Sequence, residues 1–381
     1  MIVDIERILP GGVGLAHAEG KTVFVSLAAK GDRLRVRVDQ EKGNLLFASV
    51  AEIVVPSAER IEPPCPYFGR CGGCDFQQMN YEAQLNAKAE IVKDCFHRLA
   101  SIDLPDLKVV SSPNQWRYRS RATWQLDSQE QTIGYYERGS RRVCDVVECA
   151  VLVPELQIAL EQVRSSEVPK DLKHLDAVVG EEGTSLAPAF AGFQTNELSL
   201  KIGNEEYGFN AEAFFQVNHS VLTQLLEFAL AEIHGEVALD LYCGVGLFTL
   251  PLSRRFKRVI GVESNSVATR FARRNLQNSG LDNATIQTGM LGEWFRSKAN
   301  TRQPVDFILL DPPRAGAESI VIKGIHDLKP LKICYVSCDP ATLARDVKKL
   351  IAGGYRLDSI RAFDMFPQTH HVETVVHLNK I

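Results

Sequence analysis

No stretch of this 381-residue chain approaches the roughly 20 consecutive apolar positions that a membrane-spanning helix requires. The opening MIVDIERILPGG carries no apolar core followed by a small-residue cleavage site, so no secretory leader is read there. These two absences lead us to expect a soluble, cytoplasmic protein without a membrane partner. Positive charge is not in excess either. Lys and Arg number 43 against 47 Asp and Glu, a formal net charge of −4. The molecule as a whole therefore has no attraction for a polyanion, and any nucleic-acid contact must rest on local basic patches. Internal repeats and low-complexity tracts are also missing, which excludes solenoids and linker-like chains.

What the chain does have is 45% hydrophobic residues, enough for a large core and two or three domains. It also has nine cysteines, which without a secretory signal point to reduced thiols used as ligands or nucleophiles. Residues 1–56 alternate apolar and polar positions in short runs such as KTVFVSLA and RLRVRV, broken by Gly11-Gly12 and Gly31-Asp32. This is the pattern of a small β-barrel, a module that either binds nucleic acid or serves as an inert scaffold. Four prolines between Pro56 and Pro66 mark a boundary. Residues 57–210 read as an α+β domain, with an amphipathic helix in YEAQLNAKAEIVKDCFHRL and another in LVPELQIALEQVRSS. From 211 to 381 continuous apolar strands (VALDLYC, RVIGVE, VDFILLDPP, LKICYVSC) alternate with amphipathic helices, and a final pair lies around SIRAFDMF and ETVVHLNK. Buried parallel strands with intervening helices predict a doubly wound α/β domain.

The strand VALDLYCGVG ends in a glycine turn, and Gly244 with Gly246 lets the backbone approach a ligand closely. The next apolar strand ends about twenty residues on, at Glu263, where a carboxylate in this fold receives ribose hydroxyls. The turn lacks the third glycine of a pyrophosphate-binding loop. That absence favours S-adenosylmethionine, which has no phosphate to cradle, over a dinucleotide.

Two later strands end in polar motifs at the edge where such a sheet places its ligands: ILLDPPRAG, with Asp311, and YVSCDPATLARD, with Cys338. A third segment, FDMFPQTHHVE, brings His370, His371 and Glu373 ahead of the last strand. One chemistry unites them. Carbon 5 of uracil does not attack a methyl sulfonium unaided, but a thiolate adding at carbon 6 makes it nucleophilic, and a base then removes the carbon 5 proton. Cys338, Glu373 and the crevice beside Glu263 supply the parts, and a helix beginning near Ala341 is expected to favour the Cys338 thiolate through its dipole.

These motifs resemble the RNA uridine-C5 methyltransferases, the family of the bacterial 23S ribosomal RNA and transfer RNA enzymes. SCDPATLARD matches the nucleophile loop and DMFPQTHHVET the base segment, and the resemblance covers nearly the whole chain. It implies a Rossmann-like class I methyltransferase domain preceded by a TRAM-like barrel. It also implies Cys338 as nucleophile, Glu373 as base, Gln216, Tyr242 and Glu263 as cofactor contacts, and Asp311 between cofactor and uracil. Three positions depart from the family pattern. Asp339 stands where Asn is common, Leu247 replaces an amide after the glycine turn, and Met290 replaces a polar residue near the adenine.

Cys65, Cys71 and Cys74 in CPYFGRCGGC form a ligand cluster, with Cys149 as fourth member and Cys144 as its competitor. Spacing alone suits zinc or a 4Fe-4S cluster, and the resemblance implies the 4Fe-4S cluster. Cys95, Cys243 and Cys334 read as packed core residues. RNA contacts are expected from Trp116 to Arg121, where alternation places Arg117, Arg119 and Arg121 on one face, from Arg138 to Arg142, and from Arg254 to Arg258. The RNA expected is 23S ribosomal RNA, with transfer RNA as the alternative and a monomer as the default state. The rival readings are a nitrogen-directed methyltransferase, which needs no thiol, and an RNA-binding assembly factor without turnover.

Overall fold

The computed structural model describes residues 1–297 and 304–381. The alternating N-terminal runs form a six-stranded sheet in the order Ile2–Asp4, Arg33–Lys42, Leu45–Val55, Lys21–Ser26, Val13–Ala18, Arg7–Leu9. Its inward positions, among them Val3, Val23, Val25, Leu34, Val36 and Leu46, are buried. Register shifts between Arg33–Lys42 and Leu45–Val55 bend the long hairpin around this core. The proline-rich segment that follows is tied back by Arg60, whose guanidinium donates to the fully buried Asp32 at 2.6 and 2.9 Å.

The helix Tyr81–Cys95 starts on an Asn80 cap, whose side chain accepts from Ala83 N–H. It serves two cores at once. Ala83, Ala87 and Ile91 pack on the N-terminal sheet, while Val92, Cys95 and the following Phe96 join the core of the C-terminal domain. Between those faces Lys88, fully buried, forms an ion pair with the equally buried Asp364 and donates to Phe366 C=O at 3.0 Å. Tyr81 O–H donates to the other Asp364 oxygen at 2.8 Å. This fixes the loop ahead of the last strand.

The central region is a five-stranded antiparallel sheet, in the order Val143–Asp145, Thr132–Tyr136, Arg121–Asp127, His174–Gly180, Gly183–Ala187, covered by the helix Pro154–Arg164. A separate hairpin, Leu198–Ile202 with Glu205–Phe209, buries Leu198, Tyr207 and Phe209 in the C-terminal core beside Phe271.

The C-terminal domain is Rossmann-like. Five parallel strands run in the order Ala284–Thr288, Phe256–Glu263, Gly235–Leu241, Phe307–Leu310, Lys332–Ser337. The chain order reverses about Gly235–Leu241, which opens a crevice at the carboxyl ends of the strands. Sequence pattern did not give the rest of the order. The last strand, Glu373–Lys380, inserts antiparallel between Lys332–Ser337 and Tyr355–Phe363. The short Val109–Val110, far upstream, then covers the exposed edge. Among the described residues no helix is long and apolar enough to cross a membrane.

Removing one partner of a buried pair leaves an uncompensated charge, a loss of about 3–5 kcal/mol. Lys88→Met should therefore lower the urea midpoint strongly. Adding Asp364→Asn to that variant should recover part of the loss, and equal stability of the single and double variants would contradict the pairing.

Candidate active site

Elements from both ends of the chain meet at the crevice. The strand Gly235–Leu241 turns at Tyr242, which takes a left-handed backbone at φ 64°, and at Gly244, φ 54°. A non-glycine residue held there is strained, a feature that gathers at functional sites. The turn aims Gly244 N–H at Glu263, whose carboxylate accepts from it at 3.2 Å and from Asn265 N–H at 2.7 Å. Glu263 is thus oriented before any ligand arrives. Among the described residues, Tyr242 O–H and Asp240 Oδ1 are buried without a hydrogen-bond partner. Burial, reinforced by Asp311 and Glu263, raises the Asp240 carboxyl to about 7, and the Thr249 hydroxyl at 2.5 Å opposes the shift. Asp240 was missed as a site residue although D-x-Y-C-G-x-G displayed it. Leu247 is a core residue and Met290 is half-exposed, so neither offers a polar group.

Asp311 follows Phe307–Leu310 and accepts from Gln216 Nε2 at 3.4 Å. Burial pushes its carboxyl up to about 7. Cys338 follows Lys332–Ser337 and is half-buried. Asp339 caps the helix Pro340–Ala352 by accepting from Thr342 N–H at 2.8 Å. An Asn caps equally well, which removes the significance of that departure.

The surroundings of Cys338 oppose the thiolate that the helix is expected to favour. Burial first, and then the neighbouring Glu373, push the Cys338 thiol up to about 12, with Arg314 opposing. Desolvation and like charge outweigh the helix dipole, whose contribution is about 0.3–1 kcal/mol at exposed sites. Glu373 is buried and held well above the usual carboxylate range by burial and then by Asp311, again with Arg314 opposing. Cys338 and Glu373, both negative when ionised, thus share one cation, Arg314.

Arg314, from DPPR, escaped the sequence reading. Its Nη2 donates to His371 Nε2 at 3.2 Å, and burial, with His370 and Arg314 nearby, drives His371 down to about 2, leaving it a neutral acceptor. His370 is held by Asp75, which accepts from its backbone N–H at 2.7 Å and contacts Nδ1 at 2.5 Å.

Cys65, Cys71, Cys74 and Cys149 line one cavity, together with Arg119 and Tyr135. Cys144 does not line it and is packed in the central core. Burial raises the Cys65 thiol, the Cys71 thiol to about 11 and the Cys74 thiol to about 12. Among the described residues, Arg119 Nε and Tyr135 O–H are buried at this cavity without a hydrogen-bond partner. Among the described residues no group of three or more His, Cys, Asp or Glu is arranged to hold a metal ion.

The shared arginine face does not form. Arg117 adopts φ 51°, breaking the alternation before the strand begins at Arg121. Arg119 turns in to the cysteine cavity, and Arg121 donates to Ala213 C=O at 2.7 Å and Ala211 C=O at 2.9 Å. Arg138 donates to Cys74 C=O at 2.8 Å and Arg254 pairs with Glu205. Arg119, Arg121 and Arg138 thus act as internal braces, while Arg117, Arg141, Arg142 and Arg254 stay exposed.

Residues 191–381 match the family described as tRNA (Uracil-5-)-methyltransferase. The chain is 34% identical to the 23S rRNA (uracil(1939)-C(5))-methyltransferase RlmD of Pectobacterium atrosepticum, over 98% of this chain and 92% of that one. It is 30% identical to the RlmD of Vibrio parahaemolyticus, over 99% and 95%. The crystal structure of the Pyrococcus abyssi tRNA (uracil-54, C5)-methyltransferase with S-adenosyl-L-homocysteine superposes with TM-score 0.76 at 25% identity, covering 99% of this chain and 100% of that one.

With the thiol raised to about 12, iodoacetamide labelling of Cys338, followed by peptide mass spectrometry, should rise about tenfold per pH unit from pH 7 to 10. Arg314→Ala should slow it and Glu373→Gln accelerate it at each pH. A plateau below pH 9 would mean the thiol is activated at rest.

Proposed function

This chain belongs to the RNA uracil-C5 methyltransferase family and is an S-adenosylmethionine-dependent enzyme, and on that premise we propose that it methylates a uridine of 23S ribosomal RNA through a covalent Cys338–uracil intermediate. The observation that carries this reading is the convergence of Cys338, Glu373 and Asp311 at the ends of adjacent strands of the sheet that also carries the Glu263 and Gly244 turn. The ribosomal target is favoured by the two full-length relatives above, and transfer RNA is the alternative. In this reading residues 1–56 are a TRAM-like RNA-binding barrel, 57–210 a central domain and 211–381 the catalytic domain.

The crevice suits its cosubstrate. Glu263 is preoriented for a ribose, Tyr242 and Gln216 flank the turn and Asp311, and the excess of acidic groups suits a cation. S-adenosylmethionine supplies an electrophilic methyl and a positive sulfonium.

Cys338 gives its proton to water and its sulfur then bonds to carbon 6 of the uracil, moving the electrons of the carbon 5–carbon 6 double bond into an enolate. Arg314 stabilises the thiolate against the neighbouring carboxylates. Once carbon 5 has taken the methyl group, Glu373 removes the proton there, the sulfur–carbon bond breaks and the ring double bond returns. Glu373 must be ionised at that moment, and positive charge nearby acts in that direction. Asp311 stands between the two substrates.

Cys65, Cys71, Cys74 and Cys149 would hold a 4Fe-4S cluster. The donor set fits: four thiols around one cavity, with Arg119 Nε and Tyr135 O–H as unpaired donors for sulfur. Each thiolate of a cluster binds a different iron, so no three need converge on one ion. A structural role follows, since the mechanism needs no electron transfer.

Glu373→Gln should accumulate protein covalently linked to natural RNA and cut turnover by about 10²–10⁴-fold, while Cys338→Ala should form no adduct, even with 5-fluorouridine RNA. Methylation by Cys338→Ala would transfer support to the nitrogen-directed rival. Anaerobically purified protein should carry iron and acid-labile sulfide at about four each per chain, lost in Cys74→Ser. Zinc without sulfide would overturn the cluster assignment.

A further inference from the structure

A groove of about 400 Å³ opens beside the cysteine-lined cavity, bounded by Pro64, Trp116, Arg117, Glu148, Pro154 and Ile158. Its volume falls within the range of small-ligand pockets, about 300–1,000 Å³, and no step of the mechanism uses it. Its wall is unusually apolar for a surface position, with Ile158 62% exposed. At the rim stands the exposed Arg117, which alone among Arg117, Arg119 and Arg121 is not turned inward. Among the described residues its guanidinium has neither a hydrogen bond nor an ion pair.

The groove is joined to the crevice along the chain. Gln115 C=O accepts from Gln368 Nε2 at 3.4 Å, Tyr118 O–H donates to Pro367 C=O at 2.9 Å, and Ser120 N–H donates to Val217 C=O at 2.8 Å. Trp116 and Arg117 therefore sit on the segment that braces the loop carrying His371 and Glu373. The floor of the groove is just as firmly set. Arg117 N–H donates to Ala150 C=O at 3.1 Å and Arg119 N–H to Val151 C=O at 2.8 Å, while Cys149 faces both groove and cavity.

Delivering a uridine to the crevice takes it out of its stack and leaves its neighbours without stacking partners. An indole above an apolar floor, with a free guanidinium at the rim, provides what such a neighbour lacks: a π-face for the base and a cation for its phosphate. The exposed Glu148 can accept from an exocyclic amino group. We propose that this groove is a subsite for one unstacked nucleobase of the RNA substrate, stacked on Trp116 with its phosphate at Arg117. The proposal rests on the reading of the protein as an RNA uridine methyltransferase, and it gives the thiol-bound group a task, holding the Cys149–Leu152 floor.

The test uses full-length protein purified anaerobically and a 23S-derived RNA fragment containing the methylated uridine. In the Cys338→Ala background, which binds without turning over, Trp116→Ala should weaken RNA binding about tenfold or more, Trp116→Phe should restore most of it, and S-adenosylmethionine affinity should stay as in the parent. In the active enzyme the same change should raise the RNA KM by more than it lowers kcat. Ultraviolet cross-linking with 5-iodouridine placed next to the target should label the Trp116 peptide. Unchanged RNA affinity in a Trp116→Ala protein of parental melting temperature overturns the subsite, as does a cross-link mapped elsewhere. A parent that methylates no RNA while Trp116→Ala still weakens binding would overturn the enzymatic reading and leave the subsite standing.

Discussion

The fully buried ion pair between Lys88 and Asp364 is the constraint on which the rest of the architecture depends. It joins a helix near the start of the second region to the loop before the last strand, and Glu373 opens that strand. Desolvating two charges is expensive, and the structure offsets the cost with a second donor to Asp364 from Tyr81 and a second acceptor for Lys88 at Phe366. A fully satisfied buried network admits few alternative arrangements. The loop is consequently held in one position, and Gln84 with Gln368 and Asp75 with His370 hold it at two further points. The helix packs against both the N-terminal sheet and the C-terminal domain, so the N-terminal module and the base-bearing loop share one support.

Electrostatic crowding is the second theme. Asp240, Asp311, Glu373 and Cys338 are all raised by burial, and Arg314 opposes the shift at the last two. A crevice in this state is short of positive charge, which matches a cosubstrate that carries a sulfonium. Neutral His371 fits the same logic, since a second cation beside Arg314 is disfavoured and the imidazole accepts its hydrogen bond instead.

The central region uses several of its arginines for internal order, while Arg117, Arg141 and Arg142 stay exposed. Arg119 completes a thiol-lined cavity and Arg121 fastens the backbone ahead of Gln216. In a chain of net charge −4, arginines used in this way are not available to a polyanion.

The sequence by itself determined the α/β character of residues 211–381, the glycine turn with Glu263, and the strand-end motifs bearing Asp311 and Cys338. Buried parallel strands are continuous apolar runs, and the polar residues just beyond them fall at the ligand edge of the sheet, so a local pattern carries both facts. Spacing grouped Cys65, Cys71 and Cys74, and folding brought Cys149 to the same cavity. Tertiary structure alone decided the antiparallel insertion of Glu373–Lys380, the inward turn of Arg119, the role of Arg314 and the pairing of Lys88 with Asp364 across 276 positions. It also set burial and Glu373 against the thiolate that the helix dipole favours at Cys338. Periodicity states which face of an element is buried but not what it is buried against, and the charge of a group depends on desolvation and neighbours brought together only by folding.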